Sequence, residues 1–133
     1  MSSGETDQAT LLRSMRPVLR EGEYVFCSLP HGSAIPDLAP LFTFREDEGL
    51  TVVVLREIAD TAAISYVSVF RRITLSVHSS LDAVGFLAAV TTELERHGIS
   101  ANAVSAYYHD HLFVPADRAD EALAALLALT HSS

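Results

Sequence analysis

The run His78-Ser79-Ser80-Leu81 holds the side chains best placed to do chemistry. It stands between a β-rich stretch and a helical pattern. Free backbone N–H groups at a helix N-terminus favour an anion such as a carboxylate, and two serines and a histidine add polar contacts. Ser79 at that position reads equally well as a plain helix cap. Asn102 carries an amide with donors and an acceptor, which suits a zwitterion; its plain alternative is to close a turn after Gly98. His109-Asp110-His111 places two imidazoles two residues apart, with a carboxylate that could orient one of them. No Cys, Glu or third His lies nearby in sequence to complete a zinc site, so a hairpin turn with Asp110 is the better reading. No metal and no cofactor are expected. Cys27 alternates as a strand residue outside any nucleophile motif and reads as a buried, inert thiol. Arg71 and Arg72 could meet a carboxylate ligand, or pair with some of the many acidic residues. No Gly-rich phosphate loop, G-x-S-x-G or paired-carboxylate signature stands out, so no enzyme is expected.

The elements that must position these residues follow from periodicity and punctuation. Residues 1–5 read as a frayed tail, and Thr6 or Asp7 can cap a helix. Leu11, Leu12, Met15, Val18 and Leu19 form one helical stripe, stopped by Glu21-Gly22. Tyr24 to Leu29 reads as a strand. Pro30 to Pro40 reads as a loop with at most one helical turn. Leu41 to Arg45 and Leu50 to Leu55 are strands joined by a hairpin loop at Glu46-Asp47-Glu48-Gly49. Arg56 to Ala63 is a short helix and Tyr66 to Val77 a long strand. Ser79-x-x-Asp82 then resembles a capping box that opens a helix with Leu81, Val84, Leu87, Ala88, Thr91 and Leu94 on its stripe. Gly85 inside that helix suggests close approach by a neighbour, and Gly98 stops it. Ile99 to Tyr107 and His111 to Val114 are strands. A last helix buries Ala119, Leu123, Leu126 and Leu127.

The two halves repeat an order of elements. Phe26 to Ser33 echoes Thr74 to Ser80, and Leu50 to Leu55 with its helix echoes Leu112 to Val114 and its helix. A βαββαβ unit is the split-βαβ, ferredoxin-like plan. The second copy lacks room for a closing strand after Leu129, so a strand from the first half or from another subunit must supply it. Taking the first and third strands of such a unit as parallel neighbours puts Asn102 beside His78. It also puts the His109–His111 turn at the opposite end.

Phe70 to Leu127 resembles the small tandem ACT-domain proteins of bacteria. The stretches that carry the resemblance are Ile73 to Leu81, Ala83-Val84-Gly85, His97 to Asn102 and, most specifically, Tyr107 to Pro115. Tyr24 to Val69 is similar to a degenerate first ACT module. The resemblance implies an amino-acid-binding regulatory module. It places the ligand where the first strand's loop enters the first helix, beside the start of the second strand and often at an interface.

Composition narrows the partners. The chain has 133 residues, 49% of them hydrophobic, enough for a core. Its formal charge of −8, with all nine basic residues arginine, argues against nucleic-acid and anionic-membrane binding. A single cysteine and the lack of a signal-like start or an apolar run of membrane-spanning length read as cytoplasmic. The expected fold is α+β, two ferredoxin-like ACT modules with an N-terminal helix. The tail and helix would span 1–22, the degenerate first module 23–69 and the second 70–133. The expected function is non-catalytic binding of a small ligand, an amino acid, for regulation. His78, Ser79, Ser80, Leu81 and Asn102 would line the site. Edge strands and an uncharged Thr74/Ser76 face point to a homodimer. The alternative is a structural or protein-interaction module whose ligand site has decayed.

Overall fold

Proline and glycine punctuation set the boundaries found in the computed structural model, which describes residues 4–133. Helix α1 (Gln8–Ser14) starts on Asp7, whose carboxylate accepts the Thr10 N–H at 2.9 Å. It ends before Pro17, because the residues preceding a proline are pushed out of helical geometry. Strand β1 (Pro17–Leu19) follows. The helix expected to run on to Gly22 is therefore a short helix and a strand: Leu11, Leu12 and Met15 are buried, whereas Val18 is partly exposed. The next elements are β2 (Tyr24–Leu29), a 3-10 turn at Pro36–Leu38, β3 (Phe42–Arg45), β4 (Leu50–Leu55) and α2 (Arg56–Thr61). The chain continues with β5 (Phe70–Leu75), α3 (Phe86–Arg96), β6 (Asn102–Ser105), β7 (Asp110–Pro115), a 3-10 turn at Ala116–Arg118 and α4 (Ala119–His131).

These elements form two units, Gly22–Phe70 and a discontinuous one made of Met1–Glu21 with Arg71–Ser133. In the first, the strand order is β3-β4-β2, all antiparallel, with Cys27 opposite Val52 and Phe42 opposite Val53. Tyr24 also pairs with Phe70. Glu46 and Gly49 exchange backbone hydrogen bonds across the expected hairpin. Alternation sends Val25, Cys27, Val52 and Val54 to one face, where they pack with Leu38 and Ala59. Where the plan calls for a helix between its first two strands, only the 3-10 turn forms, as the proline content of Pro30–Pro40 requires.

In the discontinuous unit the strand order is β1-β5-β7-β6. The closing strand of the ferredoxin-like plan is β1, antiparallel to β5 with Val18 opposite Thr74. It comes from the N-terminal segment that the sequence reads as helix. Ile73, Leu75, Leu112 and Val114 face the helices and pack with Phe86, Val90, Leu94, Leu126 and the α1 residues Leu11, Leu12 and Met15. Leu126 is fully buried, but Leu127 is partly exposed, so the α4 stripe runs through Ala119, Ala122, Ala125 and Leu126. The strand expected over Tyr66 to Val77 is confined to β5; Val67 is fully exposed. Of the expected tail, residues 1–3 lie outside the described residues. Glu5 is not frayed: it bridges Ser79.

Strand direction departs from the sequence reading. Thr74 meets His111 at 3.0 Å, and Val77 meets His109 at 3.3 Å. Contacts that step forward on one strand and backward on the other mean that β5 and β7 run antiparallel. In a split-βαβ unit the helix crossover makes the first and second strands parallel, so the strand hydrogen-bonded between them opposes both. The β6–β7 turn therefore lies at the same end as the β5 exit, and the start of β6 at the other.

Candidate functional site

After Leu75 the chain does not enter a helix. Ten residues separate β5 from α3, and they are held by backbone bonds. Ser76 N–H donates to the Arg16 carbonyl at 2.9 Å, and Glu5 N–H to the His78 carbonyl at 2.9 Å. Ser80 N–H donates to the Glu5 carbonyl at 2.8 Å. Ser80 then closes a turn: its carbonyl accepts from Ala83 N–H at 3.0 Å and its hydroxyl from Asp82 N–H at 3.1 Å. The helix starts at Phe86, six residues beyond Ser80, because Gly85 takes φ +87°. A side chain there would also collide with Gln8, whose Oε1 comes within 2.5 Å of the Cβ position. The close approach read from Gly85 is thus present, at the helix's entry rather than within it.

Ser79 does not cap a helix. It is buried, and its hydroxyl donates to Asp110 Oδ2 at 3.1 Å. Ser105 donates to Asp110 Oδ1 at 2.6 Å. Asp110 opens β7, faces Ser105 across the β6–β7 pair and is only 6% exposed. A cavity of about 110 Å³ is walled by Ser79, Ser80, Ser105 and Asp110, with Leu81, Ala83, Phe86 and Leu87 as its apolar side. Outside it, the His78 ring stands 5.2 Å from Tyr108, which lies 4.9 Å from Tyr107.

The structure brings Ser79, Ser80 and Leu81 together around this cavity and leaves His78 beside the two tyrosines. It does not bring Asn102 to them: Asn102 is exposed and pairs with Phe113 at the start of β6, the far end from Ser105. The His109–His111 turn, expected at the opposite end, is adjacent, with His109 Nδ1 within 3.3 Å of the Val77 carbonyl. His111 points to the other face, toward Thr74. Its pKa is held below the ordinary value of 6.5, first by burial and next by the Arg72 charge. Among the described residues no three His, Cys, Asp or Glu side chains gather as a metal site would need. Cys27 is buried, and desolvation raises its thiol pKa. Arg71 donates to the Arg20 carbonyl at 2.9 Å.

Sequence reasoning missed Ser105 and the inward role of Asp110. A signal existed: Ala106 N–H bonds the His109 carbonyl, and a four-residue turn pairs the residues flanking it. The Glu5 contact carries no local signal, since its partners lie more than seventy residues on.

The ACT-domain family model matches residues 3–71, and a second ACT-domain model matches residues 67–128. Among solved structures, a Vibrio cholerae protein of unknown function, offered as a possible transport protein, is 47% identical. The match covers 92% of this chain and 94% of that one, with a TM-score of 0.84. An Agrobacterium tumefaciens protein shares the fold at 21% identity and TM-score 0.71, covering 87% of this chain and 89% of that one. The ligand-free regulatory subunit of aspartate kinase from Thermus thermophilus does so at 10% identity and TM-score 0.63, covering 89% and 97%. No curated protein matches the chain.

Proposed function

The chain belongs to the ACT-domain family, a family of small-ligand regulatory modules, and from that premise we propose that it binds an amino acid without catalysis. The reading has it act in the cytoplasm as a homodimer. The observation that carries it is the cavity under the 79–87 loop. Buried hydroxyls and a buried carboxylate line it opposite an apolar side, the combination of a few convergent polar groups and an apolar wall that ligand pockets carry. Ser79, Ser80 and Leu81 line the ligand, and His78, next to Ser79 in the chain, packs against Tyr107 and Tyr108 outside the cavity. The Ser80 amide donates to the Glu5 carbonyl and is therefore not open to a ligand carboxylate. Asn102 is not part of this site in one chain. Regulation follows if the ligand prefers one arrangement of the loop, since a ligand shifts an equilibrium only by its differential affinity.

The test is thermal denaturation against a panel of free amino acids. A ligand at one hundred times its dissociation constant adds about 2.7 kcal/mol to the fold. At least one amino acid should raise the midpoint, and His78→Ala should weaken that response. A flat panel refutes amino-acid binding.

Pairing is supported by β6, an edge strand whose Asn102, Ala103 and Ser105 are exposed and whose outer backbone groups can join a second copy. The Thr74/Ser76 face gives less support, because Thr74 is buried against His111. Light scattering should give the mass of two chains; a single-chain mass removes the dimer.

A second reading, an interaction module, is favoured by one observation. The Gly22–Phe70 unit lacks a helix after its first strand and exposes Phe44 beside Phe26 and Phe42. A flat amino-acid panel, with the fold intact, is the result that would favour it.

A further inference from the structure

The partners of Asp110 determine what the cavity wall can hold. Asp110 as a carboxylate only accepts. The hydroxyls of Ser79 and Ser105 must therefore donate to it, at 3.1 and 2.6 Å. Each serine then presents only lone pairs to the cavity. A carboxylate has about four lone-pair sites, and two are filled by the serines. Those three side chains thus offer acceptors, and an anion set against them meets repulsion, whereas the Ser80 hydroxyl accepts from Asp82 N–H and keeps its own proton as a donor on the wall. Among the described residues no arginine or histidine forms an ion pair with Asp110. A buried carboxylate without a counter-charge is costly, and a ligand cation would supply one.

We propose that the ligand is recognised by its ammonium group, with Asp110 as the anchor and the Ser79 and Ser105 oxygens completing its three hydrogen bonds. The inference rests on the reading of this cavity as the ligand site, and it reverses the group expected to be captured there. About 110 Å³ is the room of roughly three to four waters at ~30 Å³ each. Phe86 and Leu87 present only apolar surface opposite the acceptors. The ligand class is consequently a small primary amine, the amino acids glycine, alanine and serine being of the right size. Larger or branched side chains would press on Phe86, which is almost completely buried.

The experiment compares alanine, ethylamine (alanine without its carboxylate) and propionate (alanine without its ammonium) on the intact protein by calorimetric titration. Alanine and ethylamine should bind and propionate should not. Asp110→Asn keeps the shape but removes the charge, and should weaken alanine at least about tenfold, as loss of a charge-assisted bond does. Ser105→Ala keeps the charge and should weaken it less. If Asp110→Asn fails to fold by circular dichroism, the three-molecule comparison decides. Propionate binding as well as alanine overturns the proposal while leaving amino-acid binding intact. So does alanine binding equally to folded Asp110→Asn. No binding of alanine, glycine, serine or ethylamine to the unaltered protein overturns it, and the reading it rests on falls with it only if the whole amino-acid panel is flat as well.

Discussion

Asp110 and His111 are neighbours in sequence and opposites in role, because successive strand residues face opposite sides. Asp110 turns toward the helices and takes the hydroxyls of Ser79 and Ser105; His111 turns to the other face and meets Thr74 at 3.0 Å. Burial is the main cause of the lowered His111 pKa, followed by Arg72 and His109, with Asp110 pulling the other way. The fold therefore favours the neutral ring. As pH falls, the unfolded chain takes up the proton first, at the ordinary value near 6.5, so acid draws the protein toward the unfolded state. The contribution is complete above that value and is lost as pH falls from it toward the folded-state value. The thermal midpoint should fall on acidification below about 6.5, and His111→Gln should flatten that part of the profile. An NMR titration placing the His111 midpoint at or above 6.5 would contradict this account. The metal reading of His109-Asp110-His111 fails on the same alternation, which sends the carboxylate to the opposite face from His111.

At the scale of elements, what was legible was local. The hairpin at Glu46–Gly49, the single helical turn in Pro30–Pro40, the Asp7 cap and the buried Cys27 each depend on residues within a few positions of one another. The errors arise where a distant segment decides. Leu11, Leu12, Met15, Val18 and Leu19 fit a helical stripe, yet Pro17 ends α1 and the next residues pair with β5, far along the chain. A three-residue strand has too little pattern of its own to announce itself. Ser79 satisfies the capping rule for its neighbours, but Asp110 offers its hydroxyl a stronger, charged acceptor. The chain then turns from Ser80 to Ala83 and enters the helix only after Gly85. The same holds for Thr130, whose hydroxyl on α4 meets the Leu12 carbonyl at 2.6 Å and the Met15 carbonyl at 3.2 Å. It supplies the C-terminal cap that α1 lacks in its own sequence. Of the candidate site, Ser79, Ser80 and Leu81 were readable from the β5-to-helix junction. A parallel pairing of the first and third strands puts Asn102 there; the antiparallel pairing of β5 and β7 puts Ser105 there instead.

At the scale of the whole molecule, the chain's first residues belong with its last. The unit built on β5, β6 and β7 takes β1 as its fourth strand and α1 as a third helix. Leu11, Leu12 and Met15 are almost completely buried in its core. Burying such side chains is worth about 1.5–3 kcal/mol each, so the three together supply roughly 5–9 kcal/mol. That is comparable with the entire stability of an ordinary domain, about 5–15 kcal/mol. A fragment of residues 70–133 alone would expose the core surface that these residues cover and leave the outer side of β5 unpaired. It should give a poorly dispersed NMR spectrum and no cooperative melt. Adding a peptide of residues 4–21 in excess should restore both, since the peptide carries the missing strand, the helix and the Glu5 contact to Ser80. Restoration should fail with Leu11→Asp/Met15→Asp in the peptide, which keeps its length and the strand but removes the apolar face. A cooperative melt of residues 70–133 unaided would mean that the N-terminal segment decorates this unit rather than completes it.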